Sequence, residues 1–174
     1  MQYAIFFSKF ISKGKKLKVL GIDPALSSLG WGVIQLDSPK ILYIDSGTIK
    51  TTANTLLHLR LYDIASSIEE VINNHQPEII AMEETFVNLN AASSLKLGYV
   101  RGAILSVIGS TKLPFYEYAP NNIKKTLVGT GHAQKEQVQH MVKMILSGSK
   151  KTMCLDESDA LAVAYTCLVN QSNV

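Results

Sequence analysis

KVLGID, residues 18–23, is a short apolar run that ends on an acid and then meets Pro24, the pattern of a buried strand running into a turn. Downstream, residues 31–36 and 41–49 carry strand-forming side chains separated by polar breaks. With the opening run they predict three antiparallel, hairpin-linked strands. Residues 54–75 then place Leu57, Leu61, Ile64, Ile68 and Val71 at helical spacing, and Pro77 stops the pattern. EIIAM, residues 78–82, is a second buried-type strand and runs into Glu83. A helix over 90–110, a strand over 114–118 and helices over 121–128, 135–147 and 157–170 complete the chain. This order predicts an α/β fold with a five-stranded mixed sheet and helices on both faces.

The 174 residues suit one domain, expected over 17–174. A 47% hydrophobic and 18% charged composition is that of an ordinary globular protein. No stretch approaches the roughly 20 apolar residues of a membrane helix, so no membrane role is expected. Cys154 and Cys167 lack the spacing and histidine partners of a zinc site, and a reducing cytoplasm is the expected compartment. His58, His75, His132 and His140 carry no inferred role.

The net charge of +3 conceals an uneven distribution. Residues 1–16 hold four lysines and no acid, and are expected to be an extension outside the domain. Residues 17–95 hold four basic residues against nine acidic ones, whereas residues 96–151 hold nine basic against two acidic. An acidic half beside a basic half suits a carboxylate site next to a phosphate-receiving surface. Lysines that merely solvate helix faces are the commoner cause of such a cluster.

Asp23 and Glu83 close strands that lie side by side after a right-handed crossover, at the carboxyl edge where open α/β sheets bind ligands. Two carboxylates there repel unless a cation or proton lies between them. Asp156 and Asp159, three apart, are expected on one side of the first turn of the last helix. Four oxygen donors suit Mg²⁺. Each has an ordinary reading, as turn chemistry before a proline or as a helix cap. Their common edge favours the functional one.

LGIDPALSSLGWGV (20–33), AMEETFVNLNAASSLKLGYVRG (81–102), YAPNNIKKTLVGTGHAQKEQVQHMV (118–142) and DESDALAVA (156–164) resemble, in order and spacing, blocks of the RuvC-type Holliday junction resolvases. The resemblance covers the chain from about Leu17 onward. It implies a ribonuclease H-like fold and a homodimer that nicks two strands of four-way junction DNA symmetrically. By the same resemblance Asp23, Glu83, Asp156 and Asp159 are catalytic metal ligands. It implies hydrolysis supported by two Mg²⁺ ions, with Mn²⁺ able to substitute, leaving a 5′ phosphate. Lys135 and Lys124 match lysines near the cleaved strand, Lys135 following the flexible Gly129-Thr130-Gly131 at a helix start. Phe86 matches an aromatic that stacks on an unpaired base, and Lys96 and Arg101 match backbone contacts. A branch-migration complex of the RuvA and RuvB type is the implied partner. Ala25 departs from the family's usual glycine after Asp-Pro.

Gly98 and Gly102, four apart on a predicted helix, permit close approach of another backbone, from either the sheet or a partner subunit. Three rival readings stand beside the resolvase. The Gly-Ile-Asp-Pro opening also resembles actin-like ATPases and sugar kinases, but the second glycine-rich phosphate loop is missing. A catalytically silent relative is expected to have lost a carboxylate, and all four are present. A ribonuclease H-like nuclease acting on RNA/DNA hybrids is separated only by substrate testing.

Overall fold

The computed structural model describes residues 16–85 and 91–172. Five strands form one sheet: β1 (Leu17–Asp23), β2 (Ser28–Asp37), β3 (Lys40–Lys50), β4 (Ile79–Glu83) and β5 (Phe115–Tyr118), in the order β3-β2-β1-β4-β5. The first three are antiparallel, and β4 and β5 add in parallel after helical crossovers. Among the described residues there are five helices: α1 (Leu57–His75), α2 (Ala91–Thr111), α3 (Pro120–Val128), α4 (Lys135–Ile145) and α5 (Leu155–Ser172). The expected elements are all present, with ends displaced by a few residues. No helix is long and apolar enough to cross a membrane among the described residues.

Strand alternation divides the core into two layers. Leu20 and Ile22 of β1, with Ile80 and Met82 of β4, pack against Ile64 and Ile68 of α1 and Val100 and Ile104 of α2. Leu17, Val19, Ile79 and Ala81 face the other way, onto α3, α4 and α5. Continued through Gly21 in β1 and directly from Ala81 in β4, that second parity reaches Asp23 and Glu83. Both carboxylates therefore emerge on the α5 face, and Ile22 opposite Met82 sets them at the ends of adjacent parallel strands. A slip of one residue in either strand would send its acid to the opposite face.

Helix α5 is buried almost all round, with Ala160 to Ala164 inaccessible to solvent. It lies against a trench of strand glycines. Gly21 pairs with Gly32, and Asp23 with Gly30, so the three glycines share the α5 face. A Cβ on Gly21 would run into the Ala160 carbonyl oxygen and come within 2.9 Å of the Ala164 Cβ. One on Gly30 would strike the Asp156 backbone, and one on Gly32 would lie 2.6 Å from the Leu161 side chain. The absent side chains bring the helix backbone down onto β1 and β2, directly behind the carboxylates.

Three element ends differ from expectation for identifiable reasons. Ser28 to Gly30 read as a turn, yet they pair with β3, and Gly30 also with Asp23 of β1, so β2 begins at Ser28. Helix α4 stops at Ile145 because the Ser147 N–H donates to the Ile41 carbonyl at 2.9 Å, and its own carbonyl accepts from Tyr43 N–H at 3.0 Å. Helix α5 starts at Leu155, two residues early, because Glu157 reaches back to accept the Cys154 N–H at 2.8 Å.

Candidate active site at the carboxyl edge of the sheet

Asp23, Glu83 and Asp159 line one cleft of about 140 Å³, with Lys124 and Lys135 on its rim and Pro120, Ile123 and Val138 as its apolar wall. Strands β1 and β4 deliver the first two acids, and the first turn of α5 brings the third over them. Helices α3 and α4 supply the lysines.

The electrostatics mark a shortage of positive charge. Burial, then the charges of Glu83 and Asp159, push the Asp23 carboxyl up to about 8, against the partial opposition of Lys135. Burial and Asp159 push Glu83 up to about 7, with Lys135 and Lys124 opposing. The Lys135 ammonium donates to Asp159 Oδ2 at 2.6 Å, and that bond holds the lysine above its usual range. Two ammoniums at the rim, one of them bonded to Asp159, do not balance three carboxylates, two of them sunk in the sheet.

Asp156 behaves differently from the other three. Its Oδ2 accepts from Ser28 Oγ at 2.6 Å, and it borders the cleft without lining it. Asp156 and Asp159, expected on one side of the first turn of the last helix, take different hydrogen-bond partners. Three residues of helix leave about 60° between two side chains, enough to send one to β2 and the other to α4. Asp156 still lies close enough for its charge to raise Asp23. As they stand, no three His, Cys, Asp or Glu side chains among the described residues enclose an ion site. The donor set fits Mg²⁺ nonetheless, because that ion takes one or two carboxylates and fills its octahedron with water and substrate phosphate.

The remaining candidates are more scattered. Lys96 lines a separate groove beyond the turn, with Pro24 to Ser27, Ala53 and Arg60. Arg101 is committed to Glu117 by two contacts, one from Nη2 to Oε2 at 2.6 Å. Phe86 and residues 1–15 lie outside the described residues, whereas Lys16 pairs with Asp37 at 3.2 Å.

Two supports of the site were absent from the sequence-based reading. Glu157 is buried and ion-paired to Lys150, and it accepts from Ser46 Oγ at 3.2 Å and from the Cys154 N–H. Burial opposes its ionisation, but the bonds from Lys150 and Cys154 outweigh that and hold its carboxyl below the usual range. An acid three residues past a helix cap was the available signal. Arg60, also buried, donates from Nε to Thr51 Oγ1 at 2.8 Å and from Nη2 to the Leu26 carbonyl at 3.2 Å, bracing the turn after Asp23. A lone arginine in an amphipathic helix gives no such signal.

The profile of the crossover junction endodeoxyribonuclease RuvC family matches residues 19–167. The RuvC proteins of Rickettsia bellii and Rickettsia conorii are 53% and 51% identical over 154 residues, 88% of this chain and 98% of each relative. Among solved structures, Thermus thermophilus RuvC in complex with a Holliday junction substrate is 32% identical, covering 90% of this chain and 96% of that one, with a TM-score of 0.83. A second Thermus thermophilus RuvC structure is 33% identical, covers 86% of this chain and 92% of that one, and gives a TM-score of 0.77. With its five-stranded mixed sheet and this agreement over most of its length, the chain belongs to the RuvC family of crossover junction endodeoxyribonucleases.

Proposed function

We propose that the protein resolves four-way (Holliday) DNA junctions during recombination and repair, by symmetric hydrolysis of two phosphodiester bonds. The observation that carries the reading is the placement of Asp23 and Glu83 at adjacent strand ends on one face, driven up to about 8 and 7 by burial and by their acidic neighbours. Such a pair is suited to hold divalent cations, and Mg²⁺ is the ion its all-oxygen donors favour, with Mn²⁺ as a substitute. When bound, the metal supplies Lewis acidity and an activated water for attack on phosphorus.

The residues divide the remaining work. Asp23, Glu83, Asp156 and Asp159 provide the oxygen ligands, Asp23 at the centre of the group. Lys135, at the N-terminus of α4, offers its ammonium to the charge that grows on the phosphate in the transition state, exchanging Asp159 for substrate. Lys124 contacts the same strand, and Phe86 stacks on an unpaired base. Lys96 guides backbone from the neighbouring groove. Arg101 does so only after leaving Glu117, and is the weakest of the set.

Two symmetric cuts call for two sites, and a second copy of the chain supplies the other. Leu95, Gly98, Tyr99 and Gly102 fall on one face of α2, with Leu95 and Tyr99 57% and 45% exposed and open space beyond both glycines. We assign that face to the homodimer. We further assign the protein a cytoplasmic location and a RuvA/RuvB-type branch-migration partner, on the resemblance to the family.

The test is to incubate the protein with a synthetic four-way junction, a plain duplex and an RNA/DNA hybrid, each with and without Mg²⁺. Paired nicks in the junction alone, abolished in Asp23→Asn while junction binding persists, are expected. Preferential cleavage of the hybrid, or nicking retained by Asp23→Asn, would overturn the reading.

A further inference from the structure

Ser28 connects two parts of the fold that the proposed metal site needs to keep in register. Its backbone is fixed where β2 begins, opposite Lys50 in β3. The preceding turn is held from two sides. Thr51 donates its N–H to the Ser27 carbonyl at 3.2 Å and its hydroxyl to the Leu26 carbonyl at 2.5 Å, and Arg60 braces both Thr51 and Leu26 from α1. From this fixed position the Ser28 hydroxyl reaches Asp156 Oδ2 at 2.6 Å across 128 residues of sequence.

The Asp156 backbone has little freedom of its own. It presses on Gly30, where even a methyl group would not fit, and Gly30 is the residue paired with Asp23. The distance between the Asp156 main chain and Asp23 is thus set by one close contact in the sheet. What remains undetermined is the rotation of the Asp156 side chain, and the Ser28 hydroxyl removes that freedom by occupying one carboxylate oxygen. Among the described residues, that bond leaves the other oxygen available to a cation.

We propose that Ser28 is a positioning residue for metal binding, orienting Asp156 so that its second oxygen coordinates a divalent cation beside Asp23. The inference rests on the metal-dependent nuclease reading given above. It adds a residue whose hydroxyl acts only through Asp156. Hydrogen-bond partners that orient a metal-ligating carboxylate commonly contribute 10–100-fold in metal affinity. Serine at this position is also cheap to replace structurally, since among the described residues its side chain makes no other hydrogen bond that would be lost.

The experiment is a Mn²⁺ titration of the metal-free full chain, following free Mn²⁺ by electron paramagnetic resonance, for wild type, Ser28→Ala, Ser28→Thr and Asp156→Ala, with Ser28→Ala also made in the Asp156→Ala background. Ser28→Ala is expected to bind Mn²⁺ about tenfold more weakly. Ser28→Thr, which keeps the hydroxyl, should restore affinity to within about twofold of wild type, and Ser28→Ala should have no further effect once Asp156 is gone. Melting temperatures of the metal-free single variants serve as the control for a purely structural role. Affinity unchanged or increased in Ser28→Ala overturns the inference and leaves the metal site standing, as does an equal loss in the Asp156→Ala background. Absence of any Mn²⁺ binding by the wild type overturns the metal-site reading itself.

Discussion

Helices α5 and α2 are built from similar material and end up in opposite circumstances. Both mix small and apolar residues around their whole circumference, with little segregation of polar from apolar faces. Helix α5 finds a partner for every side: strand glycines beneath it, α3 and α4 above it, and Ala160 to Ala164 inaccessible to solvent. Among the described residues, helix α2 buries only Val100, Ile104 and Ile108, against α1 and the sheet, and its Gly98, Gly102 and Gly109 meet nothing. The lesson is that close-approach residues acquire meaning from what approaches. On α5 they bring a backbone, and with it Asp156 and Asp159, down onto the strand that carries Asp23. On α2 they leave room, among the described residues, for the backbone of the proposed second copy.

The sharpest way to break the α5 side is Gly21→Ala. The added methyl would collide with the main chain at Ala160 and Ala164, which can yield only if the whole helix lifts. A destabilisation of about 3 kcal/mol is expected, a fall in Tm of roughly 6–12 °C for a chain of this size. Gly32→Ala meets the Leu161 side chain, which can turn aside in part, and should lose less. Thermal unfolding by circular dichroism orders the two. Equal Tm values for Gly21→Ala and wild type would mean that α5 does not seat in the glycine trench.

The same side carries an electrostatic stress that α2 lacks, and pH exposes it. Asp23 and Glu83 titrate near 8 and 7 in the folded chain, well above their ordinary values of 3.8 and 4.5. Without metal, the folded state therefore holds protons that the unfolded state has released. These groups favour folding fully below the ordinary carboxylate range, and their contribution is lost as pH rises through about 7 to 8. Metal-free protein should melt on the order of 5 °C lower at pH 9 than at pH 5.5 because of this pair. Asp23→Asn should flatten the profile, and Mg²⁺ should lift the high-pH limb. A metal-free Tm that rises over this interval, in wild type and variant alike, would contradict the assigned charge stress.

Much of this architecture is legible in sequence because it depends on local periodicity. The odd-numbered parity of Leu17, Val19 and Asp23, repeated in Ile79, Ala81 and Glu83, places the two acids on one face once the strands are adjacent. The spacing of Leu57, Leu61, Ile64, Ile68 and Val71 likewise places the buried face of α1. Pairing at long range is what periodicity omits. Gly21 and Gly32 fall inside predicted strands, but nothing local tells that the β1–β2 register stacks them with Gly30 under α5. Ser28 and Asp156 meet across most of the chain. The basic excess of residues 96–151 also overstates the surface open to phosphate, because Arg101 is spent on Glu117 and Lys150 on Glu157. Lys135 and Lys124, by contrast, do reach the cleft.

On the α2 side the expected effects are smaller and act on association. Tyr99→Lys puts a charge at the centre of the face assigned to the second copy, where it is already 45% exposed in one chain. The monomer fold should be untouched, and the dimer should weaken at least tenfold, since an unpaired charge at an interface core costs several kcal/mol. Sedimentation equilibrium of both proteins measures this. A Tyr99→Lys dimer as tight as wild type would move the dimer surface elsewhere.

Gly102→Ala is the mildest probe and separates the two helices most directly. In a single chain the new methyl points into open space, so nothing opposes the intrinsic helical preference of alanine over glycine. That preference is worth roughly 0.5–1 kcal/mol, a gain of a few degrees in Tm under conditions where the chain is monomeric. The same substitution at Gly21 is expected to be strongly damaging. Dimer affinity should respond the opposite way to monomer stability, because a methyl at Gly102 holds the two α2 backbones apart. A variant that is both more stable as a monomer and weaker as a dimer is the combination that only an inter-subunit role for this glycine produces. Unaltered association beside the expected gain in Tm would show instead that Gly102 is an ordinary exposed helix position.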